Sequence, residues 1–167
     1  MRGQLHEYFA GEKNEGYAFL GVGTASTALG LGLALSDSDR SRGASVPLLA
    51  VGLVQLGAGA YLMSATGRQD RERATLLTYA PGEYAAQESA RMEQVNRRFR
   101  LYKKIEVGML GAGAVMGVAG GASKTDALAG AGLSLFVQSL IMLAFDSLAE
   151  QRGLLYQRRI ADFSAGR

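Results

Sequence analysis

Few side chains in this sequence are of types that do chemistry, and their spacing excludes most of it. There is one histidine, His6, and no cysteine, so thiolate nucleophiles, disulfides and thiolate metal sites are excluded. His6 lies outside every long apolar stretch, which argues against a macrocycle held by imidazole within a bilayer. The carboxylate pairs Asp37/Asp39 and Asp70/Glu72 sit among arginines, as solvated surface charges do. Glycine pairs such as Gly21 and Gly23 lie in apolar sequence with no following Lys-Ser or Lys-Thr, so they do not form a phosphate cradle. No nucleophile has a histidine partner at a familiar spacing, and no His/Glu pair is spaced for a metal. The sequence therefore predicts no catalytic residue, no metal and no cofactor.

The polar side chains inside apolar sequence are the better candidates. Gln55, Ser134 and Gln138 are the foremost of them, and Ser134 and Gln138 fall one helical turn apart on one face. Such groups either bond between helices, at about 0.6–2 kcal/mol each, or line a pore or solute site. No ionisable residue falls at mid-depth in these stretches, which weighs against ion-coupled transport. Glu106 and Asp146 come nearest, each adjoining the end of an apolar stretch. Both are expected to act as interfacial caps or ion-pair partners, with Arg152 in reach of Asp146.

The elements that carry these residues are plain in the charge pattern. Gly16–Ser36, Gly43–Gly67, Val107–Ser123 and Ala127–Phe145 contain no Asp, Glu, Lys or Arg over 21, 25, 17 and 19 residues. At about 1.5 Å per residue each covers most or all of a hydrocarbon core about 30 Å thick. The fold predicted is an all-α integral membrane protein with four transmembrane helices arranged as two hairpins. Of 18 Lys and Arg, 15 lie in Met1–Glu15, Arg68–Glu106 and the tail after Phe145, leaving Arg40, Arg42 and Lys124 in the two short turns. By the positive-inside rule both termini and the central segment are cytoplasmic. Met1–Glu15 lacks the positive balance of a signal peptide, so the first span is expected to be retained. The localisation predicted is a multi-pass protein of a cell inner membrane.

The segments outside the spans divide the chain further. Residues 1–15 read as a cytosolic interfacial segment, in which Leu5, Tyr8 and Phe9 form a short helix on the lipid surface. Residues 16–67 form the first hairpin and 107–145 the second; 68–106 connect them in the cytosol and 146–167 form a C-terminal extension. Helix two is predicted to continue to Tyr79, where Ala80-Pro81-Gly82 breaks it. From Glu83 an apolar stripe of Ala85, Met92, Val95, Phe99 and Tyr102 runs into span three, and Leu148, Leu154, Leu155 and Ile160 continue helix four. Helices two, three and four are thus expected to project from the membrane as a small bundle. Tyr17, Phe19 and Tyr102 are placed in the aromatic belt. Arg97, Arg98, Arg100, Lys103 and Lys104 are assigned to lipid headgroups, at about 1 kcal/mol each, and not to nucleic acid, which needs a denser basic face with interleaved aromatics.

Small residues crowd the spans. Gly21, Gly30, Gly113, Gly117 and Gly121 are the predicted helix-packing positions, since small faces let helix backbones approach closely in lipid. The function expected is a non-enzymatic accessory or scaffold subunit in contact with membrane lipids, as a homo-oligomer or within a larger membrane assembly. The alternative is a small homo-oligomeric channel or transporter whose pore forms between copies.

Overall fold

Three short breaks divide the chain. At the first, Ser38 caps the following helix, its Oγ accepting the Ser41 N–H at 3.4 Å, with Asp39 in the first turn. At the second, Ala80 leaves the helical region (φ −141°, ψ 66°), as a residue preceding proline tends to, and Pro81 opens the next helix where its missing N–H costs nothing. At the third, Lys124 takes the left-handed conformation (φ 57°). The Thr125 N–H reaches back to Gly120 O at 2.8 Å and the Lys124 N–H to Gly121 O at 3.4 Å. This is the cap that usually carries glycine.

The computed structural model describes residues 1–166, leaving Arg167 of the basic tail outside the described residues. It contains four long helices, α1 (Arg2–Ala34), α2 (Asp39–Tyr79), α3 (Pro81–Ala122) and α4 (Asp126–Ala165), and no strand among the described residues. The buried positions recur every seven residues. In α1 they include Phe9, Gly16, Gly23 and Gly30; in α2, Ser45, Gly52, Gly59 and Thr66. In α3 they include Ala85, Met92, Glu106, Gly113 and Gly120, and in α4 Gly132, Ser139, Asp146, Gly153 and Ile160. A seven-residue repeat keeps one seam of each helix facing its neighbour, as in a left-handed coiled coil.

α1 packs along α2, α3 along α4, and α2 against α4, while α2 and α3 touch only slightly. Within the apolar sequence the seams are almost bare backbone. A Cβ added to Gly23 would lie 2.9 Å from Gly52 O, and one on Gly59 would lie 2.8 Å from Gly16 O. Added to Gly132 it would overlap Gly117 N; added to Gly130 it would overlap Arg40 O, where α4 crosses α2. Of the predicted packing glycines, Gly30 meets Leu49 and Gly113 meets Phe136, while Gly117 lies beside Gly132. Gly21 and Gly121 have nothing within 4 Å and face outward. Gly30 and Gly113 share their seams with the further tight positions Gly23 and Gly120, and Gly52, Gly59, Gly130 and Gly132 on α2 and α4 are the other close approaches.

At the charged end all four helices meet in a core of Leu5, Tyr8, Phe9, Ala74, Tyr84, Met92, Tyr156 and Ile160. The short interfacial helix expected at the N-terminus is therefore corrected. Arg2–Ala34 is one continuous helix, and Leu5, Tyr8 and Phe9 point into protein because they continue the α1 seam. The stripes of α3 and α4 are only partly internal. Ala85, Met92 and Ile160 are buried, whereas Tyr102, Leu148 and Leu155 are exposed. Phe19, expected in an aromatic belt, is buried against Phe145 with ring centroids 5.2 Å apart.

Each helix is long and apolar enough to cross a membrane, with windows of mean hydropathy 1.4 to 1.9. Only 17–33% of those windows is buried within the chain, so the bulk of their surface needs an apolar surrounding, as in a multi-pass membrane protein. Gly130→Leu should force α4 away from α2 and lower the thermal midpoint in detergent by the equivalent of ~1–3 kcal/mol. Gly21→Leu, with open space around it, should leave the midpoint nearly unchanged.

Candidate functional site

Polar chemistry is gathered at three levels along the bundle. The outermost lies in the charged-end core, around Glu88, whose side chain is wholly buried. The Arg91 guanidinium grips it with two bonds, Nε to Oε2 at 3.0 Å and an amino nitrogen to Oε1 at 2.6 Å. Arg73 of α2 adds an ion pair at 3.4 Å, and the Tyr156 hydroxyl of α4 donates to Oε1 at 3.1 Å. Tyr84 and Tyr156 join through their hydroxyls at 2.7 Å, and Tyr8 of α1 stacks on Tyr156 at 4.4 Å. Arg91 also lies over the Tyr8 and Phe9 rings, 5.4 Å from each centroid. One carboxylate thus ties α2, α3 and α4 directly and α1 through the aromatic stack. Burial pushes the Tyr84 hydroxyl up to about 12 and raises Tyr8 and Tyr156 further, so these hydroxyls act as fixed bonding groups and not as acids.

The innermost level contains the polar residues of the apolar spans. Gln55 is fully buried and its Nε2 donates to the Met142 sulfur at 3.3 Å. Gln138, also buried, donates to Ser26 Oγ at 2.7 Å, joining α4 to α1. Ser134 turns back on its own helix, donating to Ala131 O at 3.2 Å. Gln55, Ser134 and Gln138 therefore do not converge on one lumen. The oxygens Gln55 Oε1 and Gln138 Oε1 are buried without a partner.

Between these levels lies a cleft. Because α2 and α3 barely touch, a space of about 700 Å³ opens between them, floored by α4. Its walls are Val51, Val54 and Tyr61 on α2 and Tyr102, Ile105 and Met109 on α3. Gln138 lines its deep end, and Glu12, Glu15, Glu106, Asp146 and Arg152 line the end towards the charged bundle. Asp146 and Glu106, expected to cap helix ends at the surface, are both only 6% exposed. They occupy seam positions of α4 and α3 that oppose each other, close enough for each carboxyl to act on the other. Arg152 does not serve Asp146; it pairs with Glu15 of α1.

Two ionised carboxylates side by side repel, so the pair favours holding a proton. Both residues adjoin the charge-free spans from outside. Burial and the neighbouring Asp146 push Glu106 up to about 7, with Lys103 opposing, and burial raises Asp146 as well. Burial likewise raises Glu12 and Glu15, the latter in spite of Arg152. Charge counting along the sequence locates Glu106 and Asp146 but not their pairing, because the pairing follows from the antiparallel register of α3 and α4.

The basic cluster before span three divides. Arg97 pairs with Glu93 at 2.8 Å and Lys103 with Glu150 of α4 at 2.6 Å. Arg97, Arg98, Arg100 and Lys104 are exposed around a shallow depression on the outer face of α3. Among the described residues no group of three His, Cys, Asp or Glu side chains is placed to hold a metal. No protein family, curated protein or solved structure matches the chain.

Removing Arg91 leaves a buried carboxylate on two weaker partners, Arg73 and the Tyr156 hydroxyl. Arg91→Met should cost about 3–5 kcal/mol of stability, read as a lowered thermal midpoint with loss of near-ultraviolet tyrosine dichroism. A second expectation concerns pH. Folding raises the pKa of Glu106 above the ordinary 4.5, so the folded chain binds protons more tightly than the unfolded one. Stability is then fullest below pH 4.5 and declines as pH rises to about 7, with Asp146, Glu12 and Glu15 adding in the same direction. Thermal midpoints from pH 5 to 8 should show that decline, and Glu106→Gln should flatten it.

Proposed function

We propose that this chain is a non-enzymatic structural or accessory subunit of a membrane assembly. Its four helices cross the bilayer as two hairpins, with the charged end in the cytoplasm of a bacterial-type inner membrane. The observation that carries this reading is the burial of Gln55 and Gln138 inside the single chain, bonded to Met142 and Ser26. A pore between copies needs such groups on the outside of the protomer, facing a shared axis. Here the outward face of the spans is apolar, including Leu29, Leu31, Val54, Val115 and Val118. That surface suits lipid or the helices of a partner.

The charged end supports the same role. A packed aromatic core closed on Glu88 gives a rigid extension, and the exposed Arg97, Arg98, Arg100 and Lys104 at its base suit anionic headgroups. Among the described residues fourteen of the seventeen Lys and Arg lie in the segments that form this end, which favours its placement in the cytoplasm. Lipid contact and assembly with a second copy or a larger complex follow as the expected partnerships.

The deciding measurement is the mass and composition of the complex extracted gently from native membrane. Recovery with a larger assembly is expected. Recovery as a pure homo-oligomer that conducts ions in liposomes would overturn the structural role. Gln138→Leu should leave assembly intact and liposome permeability unchanged, whereas a change in flux would place Gln138 on a conduction path.

A further inference from the structure

We infer that the cleft between α2 and α3 is a binding site for a small lipophilic cation, an onium or protonated amine on an apolar body, with Glu106 and Asp146 as its counter-ions. The inference stands independently of the structural role above. It begins with size and shape. About 700 Å³ lies within the range of small-molecule sites, and the cleft opens sideways at span level, where Val54 and Tyr61 on one wall and Tyr102 and Ile105 on the other are exposed. From Gln138 to Asp146 the floor runs eight residues, or about 12 Å at the helical rise. An apolar body fits along that length with a charged group at one end only.

Charge decides which group. The lining carries four carboxyls, Glu12, Glu15, Glu106 and Asp146, against one guanidinium, Arg152. That guanidinium is taken by Glu15, and the nearby Lys103 is taken by Glu150. Among the described residues no ion pair reaches Glu106 or Asp146, and Lys103, bonded to Glu150, only partly offsets their charge. Glu106 Oε2 is buried with no hydrogen-bond partner, and so is Gln138 Oε1 at the other end of the cleft. Both are acceptors, which attract positive charge and N–H donors and repel an anion. The Tyr61 and Tyr102 rings on the two walls add faces that favour an onium.

The exchange balances simply. In the empty cleft one of the Glu106 and Asp146 carboxyls carries a proton. When an onium enters, that O–H bond breaks, the proton leaves to water, and the ligand's charge neutralises the carboxylate formed. The other ionisable groups facing this end are Glu12 and Glu15 of α1, Tyr102 and Lys103 of α3, and Glu150 and Arg152 of α4; α2 contributes only Tyr61. Competition with the proton follows because burial and the neighbouring Asp146 strengthen the hold of Glu106 on its proton.

The test uses the full chain in phosphatidylcholine nanodiscs, titrated with tetraphenylphosphonium and with tetraphenylborate, a pair matched in size and opposite in charge. The expected result is saturable phosphonium binding near one per chain, with no saturable borate binding. Affinity should rise close to tenfold per pH unit below about pH 6.5 and level off above 7, as release of one proton requires. Glu106→Gln and Asp146→Asn should each weaken phosphonium binding at least tenfold at pH 8, with helical content and thermal midpoint retained. Val54→Trp, which narrows the cleft without touching the carboxyls, should weaken it as well. Equal uptake of the borate, absence of saturable phosphonium binding by folded protein, or unchanged affinity in both carboxyl variants would each overturn the site.

Discussion

Everything in this molecule depends on helices approaching closely along seams that have almost no side chains. In lipid there is no hydrophobic drive to bring apolar helices together, so association rests on van der Waals contact between backbones and on a few polar bonds. The seven-residue recurrence of Gly16, Gly23 and Gly30 against Gly59, Gly52 and Leu49 provides that contact for α1 and α2. Gly113 and Gly120 against Gly132 and Ala129 provide it for α3 and α4. The polar bonds then fall where seams cross, as between Gln138 and Ser26.

The same repeat continues out of the apolar sequence, and there its occupants change. In place of glycine the seams carry Phe9, Met92 and Ile160, with Glu88 and Tyr156 beside them, and only Gly153 persists among these positions. Outside lipid, burial of large side chains becomes favourable at about 25 cal/mol per Å² of apolar surface, and close backbone contact is no longer the main source of cohesion. One helix geometry therefore serves two kinds of sequence, with small residues on the seams of the apolar stretches and aromatic residues on those of the charged end. Glu88 sets the register of the charged end, because its two arginines and the Tyr156 hydroxyl satisfy it together.

The cleft follows from the same packing. α2 holds α4, and α4 holds α3, so α2 and α3 are left apart. Glu106 and Asp146 sit on the seams of α3 and α4 where glycine gives way to larger side chains, beside the space that this separation leaves. A buried acid pair there is costly as two charges and tolerable with one proton bound. Close packing on three interfaces thus leaves a fourth open, with the least satisfied carboxyls of the span boundary facing into it.

By itself the sequence determined the four apolar stretches, the breaks near Asp37 and Lys124 and at Ala80-Pro81, and the segregation of charge to one end. These follow from composition and local backbone chemistry, which act within a few residues. It also marked Gln55 and Gln138 as the polar groups to place. Tertiary structure alone decided which glycines touch, so that Gly23 and Gly132 are packed while Gly21 and Gly121 face outward. It decided that Leu5, Tyr8 and Phe9 lie in a protein core and not on a lipid surface. It also brought Asp146 to Glu106 and gave Arg152 to Glu15. The physical reason is common to all three. A one-residue shift turns a helix face by about 100°, so a small-residue pattern fits several faces equally well. Only the register between helices distant in sequence selects one of them.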